Sequence, residues 1–157
     1  MRKYHNTLSQ LDKMRPIGHG VSREAYYARK SKLIFKVPYD EGCNHQSENE
    51  ERLFNSLPEP YKKLFPVVGF TKFQGKKVVI MRKVQTLYDF LGEINYETED
   101  FEDIHTVLRI CEELNISRSS GFLFCRFVRK FGISDLFEKN VGVYSGNLVI
   151  VDAGYTR

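Results

Sequence analysis

No stretch of this 157-residue chain stays apolar for the roughly 18–20 residues a membrane-spanning helix needs. Met1 to His5 is basic, but no apolar run of signal-peptide length follows it, so a secretory leader is not expected and the expected location is cytoplasmic. Cysteine is scarce: Cys43, Cys111 and Cys125 are odd in number and lack metal-ligand spacing, which reads as three free thiols rather than a disulfide framework. With 41% hydrophobic and 28% charged residues the composition is that of an ordinary globular domain, which excludes a collagen and a disordered tail. Charge of one sign is also in short supply. The 24 Lys+Arg against 20 Asp+Glu leave +4, which favours anionic partners such as nucleotides or nucleic acid without choosing between them.

What is present changes character near residue 85. Before it, β-branched and aromatic runs alternate with Gly and Pro. Ala25–Ala28 and Leu33–Val37 flank the polar turn Arg29–Lys32, and Val67–Phe73 and Val78–Met81 flank Gln74–Lys77, two candidate antiparallel hairpins. Between them, the Glu-rich Asn44–Leu57 predicts a helix stopped by Pro58. After residue 85, Phe101, Ile104, Val107, Leu108 and Cys111 define one face of a helix over Phe101–Leu114, with Asp100 or Thr98 as its cap. Gly121–Phe131 predicts a further apolar and basic helix ended by Gly132, and Asn140–Val143 with Leu148–Val151 a third hairpin, turned by Ser145-Gly146-Asn147.

Four features carry possible chemistry. Gly18-His19-Gly20, between the strand-like Met14–Ile17 and the next strand, permits a tight turn and lets backbone N–H groups approach a phosphate; it is equally an ordinary hairpin turn. Lys36 sits inside an apolar strand, either on its solvent face or held inward for an anion. Glu50 stands on the Glu-rich helix, either as a solvated side chain or as the ion-pair partner of that lysine. Asp135 and Asn140, five positions apart, precede a hairpin and Asp152-Ala153-Gly154: an acid, an amide and a second acid, suited to a proton acceptor and two oxygen ligands for Mg²⁺. The bland alternative for these is a pair of turns.

In this order the features resemble the protein-kinase-like superfamily: a Gly-rich loop, a strand lysine, a helix glutamate, a hinge at Val79–Val84, an Asp with an Asn, and Asp-x-Gly. The resemblance spans residues 14–155. It implies an α+β, two-lobed fold in a single domain over 1–157, with an antiparallel β-rich N-lobe and hinge over 1–84 and a reduced, mainly helical C-lobe over 85–157. It implies ATP and Mg²⁺ as cofactors. Gly18 and Gly20 would cover the phosphates, Lys36 would pair with them, and Glu50 would orient Lys36. Met81, Arg82 and Val84 would form the adenine site, Asp135 would be the catalytic base, and Asn140 and Asp152 would hold the metal.

The chain departs from the family at several points. Ile133-Ser134 replaces the usual His-Arg before the Asp, Phe137 replaces the Lys or His that contacts the transferred phosphate, and Ala153 replaces a Phe. The sequence stops at Arg157, where a standard member continues into an activation loop and a substrate-binding lobe, which places it with minimal members of the small bacterial or phage-encoded type. The expected function is an ATP- and Mg²⁺-dependent phosphotransferase acting in the cytoplasm, the host's if phage-encoded. The alternative is a weak or inactive kinase-like protein that binds a host or partner protein. A third reading, nucleic-acid binding, draws on Arg118, Arg126, Arg129 and Lys130 among Phe122, Phe124, Phe127 and Phe131; the competing account is one helix with an apolar core face and a basic solvent face.

Overall fold

The computed structural model describes residues 4–152 and 154–155. The chain is mixed α+β and divides into two compact units: the chain up to Leu57 together with Val67–Lys83, and Pro58–Pro66 together with the chain from Val84 on.

The first unit is built on a five-stranded antiparallel sheet of order β1-β2-β3-β5-β4, where β1 is Pro16–His19, β2 Arg23–Ala28, β3 Leu33–Pro38, β4 Val67–Phe73 and β5 Lys76–Arg82. Both expected hairpins form. The second has a tighter turn than Gln74–Lys77: only Gln74 and Gly75 (φ 52° and 77°) leave the ladder, as the strand twist favours, and Lys76 and Lys77 belong to β5. A side chain at Gly75 would collide with the Glu41 carboxylate. Alternation along β3 sends Leu33, Phe35 and Val37 into a core with Val78 and Ile80, closed by Tyr4 and by Leu8 of α1 (His5–Leu8). The opposite face carries Lys36, paired in register with Ala25 and Val79. Helix α2 (His45–Ser56) packs against β5, one residue shorter at each end than the sequence pattern suggests. Asn44, just before it, clips the hairpin turn to the helix by donating to the Gly75 carbonyl (2.9 Å) and accepting from the Lys77 N–H (2.8 Å).

The second unit contains α3 (Glu59–Lys62), β6 (Gln85–Thr86), α4 (Leu87–Leu91), α5 (Thr98–Glu102), α6 (Ile104–Glu113), α7 (Arg118–Phe131), β7 (Ile133–Ser134), β8 (Val141–Tyr144), β9 (Asn147–Ile150) and β10 (Gly154–Tyr155). Strands β6, β8 and β9 form one small sheet, and β7 pairs with β10. The β8–β9 hairpin forms, with a tighter turn than expected: only Ser145 and Gly146, at positive φ, leave the ladder, Asn147 pairs with Tyr144 as part of β9, and Asn140 and Val151 lie outside the strands.

The single helix expected over Phe101–Leu114 is two helices. Asp103 takes an extended conformation (φ −91°, ψ 113°), which breaks the helix and makes it the N-cap residue of α6, and its carboxylate accepts from the Thr106 hydroxyl (2.7 Å) rather than from a helix amide. The cap of the first piece is neither Asp100 nor Thr98. Glu97 is the N-cap, and Asp100 inside the helix accepts its N–H (2.8 Å). Helix α7 begins one turn before the expected Gly121, because Ser117 caps it by accepting the Ser120 N–H, and it ends on left-handed Gly132 as expected. Gly121 is needed by close packing: a Cβ there would stand 2.9 Å from the Cys111 sulfur. Phe101, Phe124, Phe127, Leu136 and Leu148 are wholly buried in this unit's core. All three cysteines are free thiols.

Candidate functional site

In the first unit, β1 and β2 are joined by a turn whose Val21 is fully exposed. Neither Gly18 nor Gly20 has a positive φ, and a Cβ on Gly18 would make only ordinary contact, so the backbone conformation does not demand glycine there. The Gly20 N–H is engaged by the Arg23 carbonyl (2.8 Å), and the Gly20 carbonyl accepts from the Tyr39 hydroxyl (2.9 Å). Of the backbone N–H groups the sequence offers to a phosphate in this turn, that of Gly20 therefore already has a partner.

Lys36 and Glu50 are both about nine-tenths buried and come together, with Nζ 3.9 Å from Oε1 of the carboxylate. Of the two readings open for each residue, the inward one holds. The carboxylate has a stronger partner, however. Arg23 on β2 is 5% exposed, donates to the same Glu50 oxygen, and donates through Nη1 to Ser47 Oγ (3.1 Å). Ser22 beside it donates to Gln46 Oε1 (2.8 Å). Ser22 and Arg23, at the start of β2, thus grip α2 through Gln46, Ser47 and Glu50. Sequence reasoning missed Arg23. The available signal was Ser47 and Glu50 three apart on one helix face, a polar pair with no reason to be buried unless a cation meets it.

At the end of β5, Met81 is buried opposite Ile34, and Arg82 is exposed. Lys83 lies over the Tyr27 ring (4.5 Å). Val84 opens the second unit, where its side chain limits the space at Gly142.

In the second unit, Asp135 is exposed and held in left-handed conformation (φ 58°), which Asp tolerates better than most residues. Asn140 reaches back to it, its Nδ2 donating to the Asp135 carbonyl (2.9 Å). The Asn140 carbonyl accepts the Val151 N–H (2.8 Å), which brings the segment carrying Asp152 beside Asn140. With the amide nitrogen committed, the Asn140 side-chain oxygen and the Asp152 carboxylate are two hard oxygen donors on adjoining segments, a donor set that fits Mg²⁺. No cluster of three or more His, Cys, Asp or Glu side chains fit to hold a metal occurs among the described residues. Ala153 lies outside the described residues.

The loop between Asp135 and Asn140 is pinned from below. Leu136 is buried and its N–H donates to Thr98 Oγ1 (3.1 Å). Glu138, 4% exposed, accepts three backbone N–H groups: Ile94 (3.1 Å), Asn95 (3.0 Å) and Tyr96 (2.9 Å). Burial alone pushes its carboxyl pKa up, but these amides together with its own N–H outweigh burial and hold it below the usual value. Phe137 is exposed, and the nearby Lys139 lies 4.8 Å from the Tyr88 ring centroid. Of the basic and aromatic residues on α7, Phe124 and Phe127 are buried and Phe131 stacks on Phe127 (4.8 Å), so these three rings belong to the core.

No protein-family model matches the chain. No curated protein matches it. Among solved structures it is similar to Rad53 1–466 in complex with AMP-PNP, a protein kinase, with a TM-score of 0.50 and 18% identity over 99% of this chain and 43% of that one. The chain thus spans less than half the length of that structure. At this identity the likeness concerns fold alone, and the five-stranded antiparallel sheet with its helices is compatible with a kinase-like arrangement. No helix among the described residues is long and apolar enough to cross a membrane.

Proposed function

We propose that this is a nucleotide-binding protein of kinase-like, two-lobed build, taking ATP with Mg²⁺. The observation that carries the reading is the buried pairing of Lys36 with Glu50, a strand lysine held by a helix carboxylate on the sheet face away from the hydrophobic core. A buried ammonium is costly unless it serves a partner, and a carboxylate leaves it positioned for a second anion such as a phosphate. The similarity to a kinase solved with AMP-PNP supports the same reading.

In this account the first unit is the phosphate-holding lobe and the second supplies Asp135 as base. Asn140 and Asp152 would hold Mg²⁺, which when bound supplies charge neutralisation at the phosphates. The Asn140 amide, tied to the Asp135 carbonyl, fixes the geometry of the loop that presents the base. Met81, Arg82 and Val84 remain the proposed adenine-contacting residues.

One observation favours a second reading, in which phosphoryl transfer is weak and the protein acts by binding a partner. Phe137 stands where the family's phosphate-contacting cation would be, and Lys139, the nearest basic residue in sequence, is placed over Tyr88. The test is calorimetric titration with ATP, with and without Mg²⁺, on wild type and Lys36→Met, followed by a γ-phosphate transfer assay. Saturable ATP binding that Lys36→Met abolishes is expected. Absence of any binding at millimolar ATP overturns the reading.

A further inference from the structure

The outer face of α7 is a basic and apolar stripe that the nucleotide reading does not use. Arg118, Phe122, Arg126 and Arg129 follow one another at intervals of four, four and three residues, so they share a face. Phe122 is 45% exposed there, while its neighbours Phe124 and Phe127 are fully buried. Beside this face, at the break between α5 and α6, lies an open cavity of about 490 Å³, lined by Ile104, Phe122, Cys125, Arg126, Arg129 and Lys130. Its floor is satisfied internally: the Cys125 thiol donates to the Glu102 carbonyl (3.2 Å) and interacts with the Arg129 side chain. The cavity therefore offers a closed apolar floor with cations at its rim.

Helix stability does not explain all of those cations. Arg129 and Lys130 complement the C-terminal end of the helix dipole, but Arg118 stands in the first turn, where a positive charge is unfavourable and no acidic residue offsets it. Arg126 lies in the middle of the helix, outside either end's influence.

We propose that this face docks a partner protein through an acidic segment carrying an apolar side chain. The apolar group would enter the cavity against Ile104 and Phe122. The flanking carboxylates would meet Arg126 and Arg129, whose guanidinium groups bind carboxylates bidentately. The cavity's size is within the range that recognition pockets occupy. A nucleic acid fits less well. Three of the four Phe rings on α7 are turned into the core or stacked within it, leaving one for base stacking, and Glu102 and Asp103 add negative charge near Cys125 on the cavity floor. A peptide sets its carboxylates at chosen positions and avoids those two. The proposal does not depend on the nucleotide reading.

The experiment is selection from a displayed library of random peptides on the wild-type protein and on an Arg126→Glu/Arg129→Glu variant, with a single-stranded oligonucleotide pool as a second arm. Both arginines are exposed, but Arg129→Glu puts an acid at the C-terminal end of the helix dipole and removes the contact to Cys125, so a small drop in unfolding temperature is expected and folding is checked first. If that variant fails to fold, Phe122→Ala and Arg126→Gln replace it. The expected result is enrichment on wild type of sequences with Asp or Glu around a Leu or Phe. Their binding should weaken about tenfold or more in the charge-reversed variant and in Phe122→Ala, and weaken as salt rises. An enriched set with no acidic bias, equal binding by the variant, no enrichment at all, or tighter capture of the oligonucleotide pool overturns the proposal. ATP titration of the same variants should match wild type, which separates this face from the nucleotide site.

Discussion

One carboxylate oxygen of Glu50 receives two cations, Arg23 from β2 and Lys36 from β3, and the arginine is the closer of the two. The pairing assigns the two cations different work. Arg23 also holds Ser47 and so fastens the helix to the sheet, whereas Lys36 meets Glu50 only at 3.9 Å and adds less to that fastening.

The two substitutions should therefore separate. Arg23→Met breaks a buried, hydrogen-bonded charge pair and should cost about 3 kcal/mol of unfolding free energy. Lys36→Met should cost less stability yet lose ATP binding. Urea denaturation and calorimetry on both variants check this, and equal stability losses with equal affinity losses would contradict it.

Much of the fold was legible in the sequence because hairpins announce themselves locally. Gln74–Lys77 and Ser145–Asn147 read as turns between β-rich runs, and both hairpins form, each on only the first two of those residues. The break at Asp103 was hidden because Phe101 and Ile104 keep the apolar rhythm of one helix across it, while the extended backbone of Asp103 is a local choice that periodicity does not record. Within the candidate site, the order of motifs pointed to Lys36 with Glu50. It could not point to Arg23, whose partners lie 24 and 27 residues away. Glu138 was equally invisible: a Glu between Phe and Lys reads as solvated, and the three amides that bury it come from 42–44 residues earlier.

Glu138 makes acid sensitivity local and testable. Its folded pKa is depressed, so the stability it contributes is present above the unfolded glutamate value of about 4.5 and is lost as pH falls through the lower folded value. Glu138→Gln should destabilise the protein at pH 7 by about 3 kcal/mol, because an amide NH₂ then confronts backbone donors. Below the folded pKa the gap between the two proteins should shrink. Unfolding curves at several pH values measure both effects.

Tyr26 gives the alkaline counterpart. Burial first, then its hydrogen bond to Glu24 (2.9 Å) and the negative charges of Glu24 and Tyr39, push its pKa up to about 12. A raised folded value means the neutral form is favoured by folding, so this contribution is intact below pH 10 and lost as pH rises through 12. Phenolate absorbance should show Tyr26 titrating late, together with Tyr96, which burial also pushes up, and Glu24→Gln should lower the Tyr26 pKa only in part, since burial is the larger cause.

Thiol reactivity should divide the cysteines. Cys111 and Cys125 are nearly or fully buried and burial pushes both thiols up, while Cys43 is half-buried. An aromatic disulfide reagent should label one thiol quickly and the other two only on unfolding. Cys43→Ser should remove the fast phase.

The sharpest test of the catalytic half of the proposal is at Phe137. Phosphoryl transfer depends almost wholly on positioning and on neutralising charge at the transferred group, and one well-placed cation supplied by a partner protein raises rates by about 10³–10⁵. The loop around Phe137 is anchored by Leu136 and Glu138, buried on either side, so a substitution there should leave the loop's backbone in place. Phe137 is itself 39% exposed, and replacing it should perturb stability little. Phe137→Lys should therefore raise ATP hydrolysis or transfer by about tenfold to a thousandfold with ATP affinity unchanged, a smaller gain than a bidentate arginine gives because lysine acts as a point charge. Lys139→Ala is the control: its ammonium lies over Tyr88, so its loss should not alter the rate. Asp135→Asn in the Phe137→Lys background should abolish whatever activity appears. If Phe137→Lys binds ATP like wild type and both remain silent, the missing cation is not what limits the chemistry, and the protein acts by binding rather than by transfer.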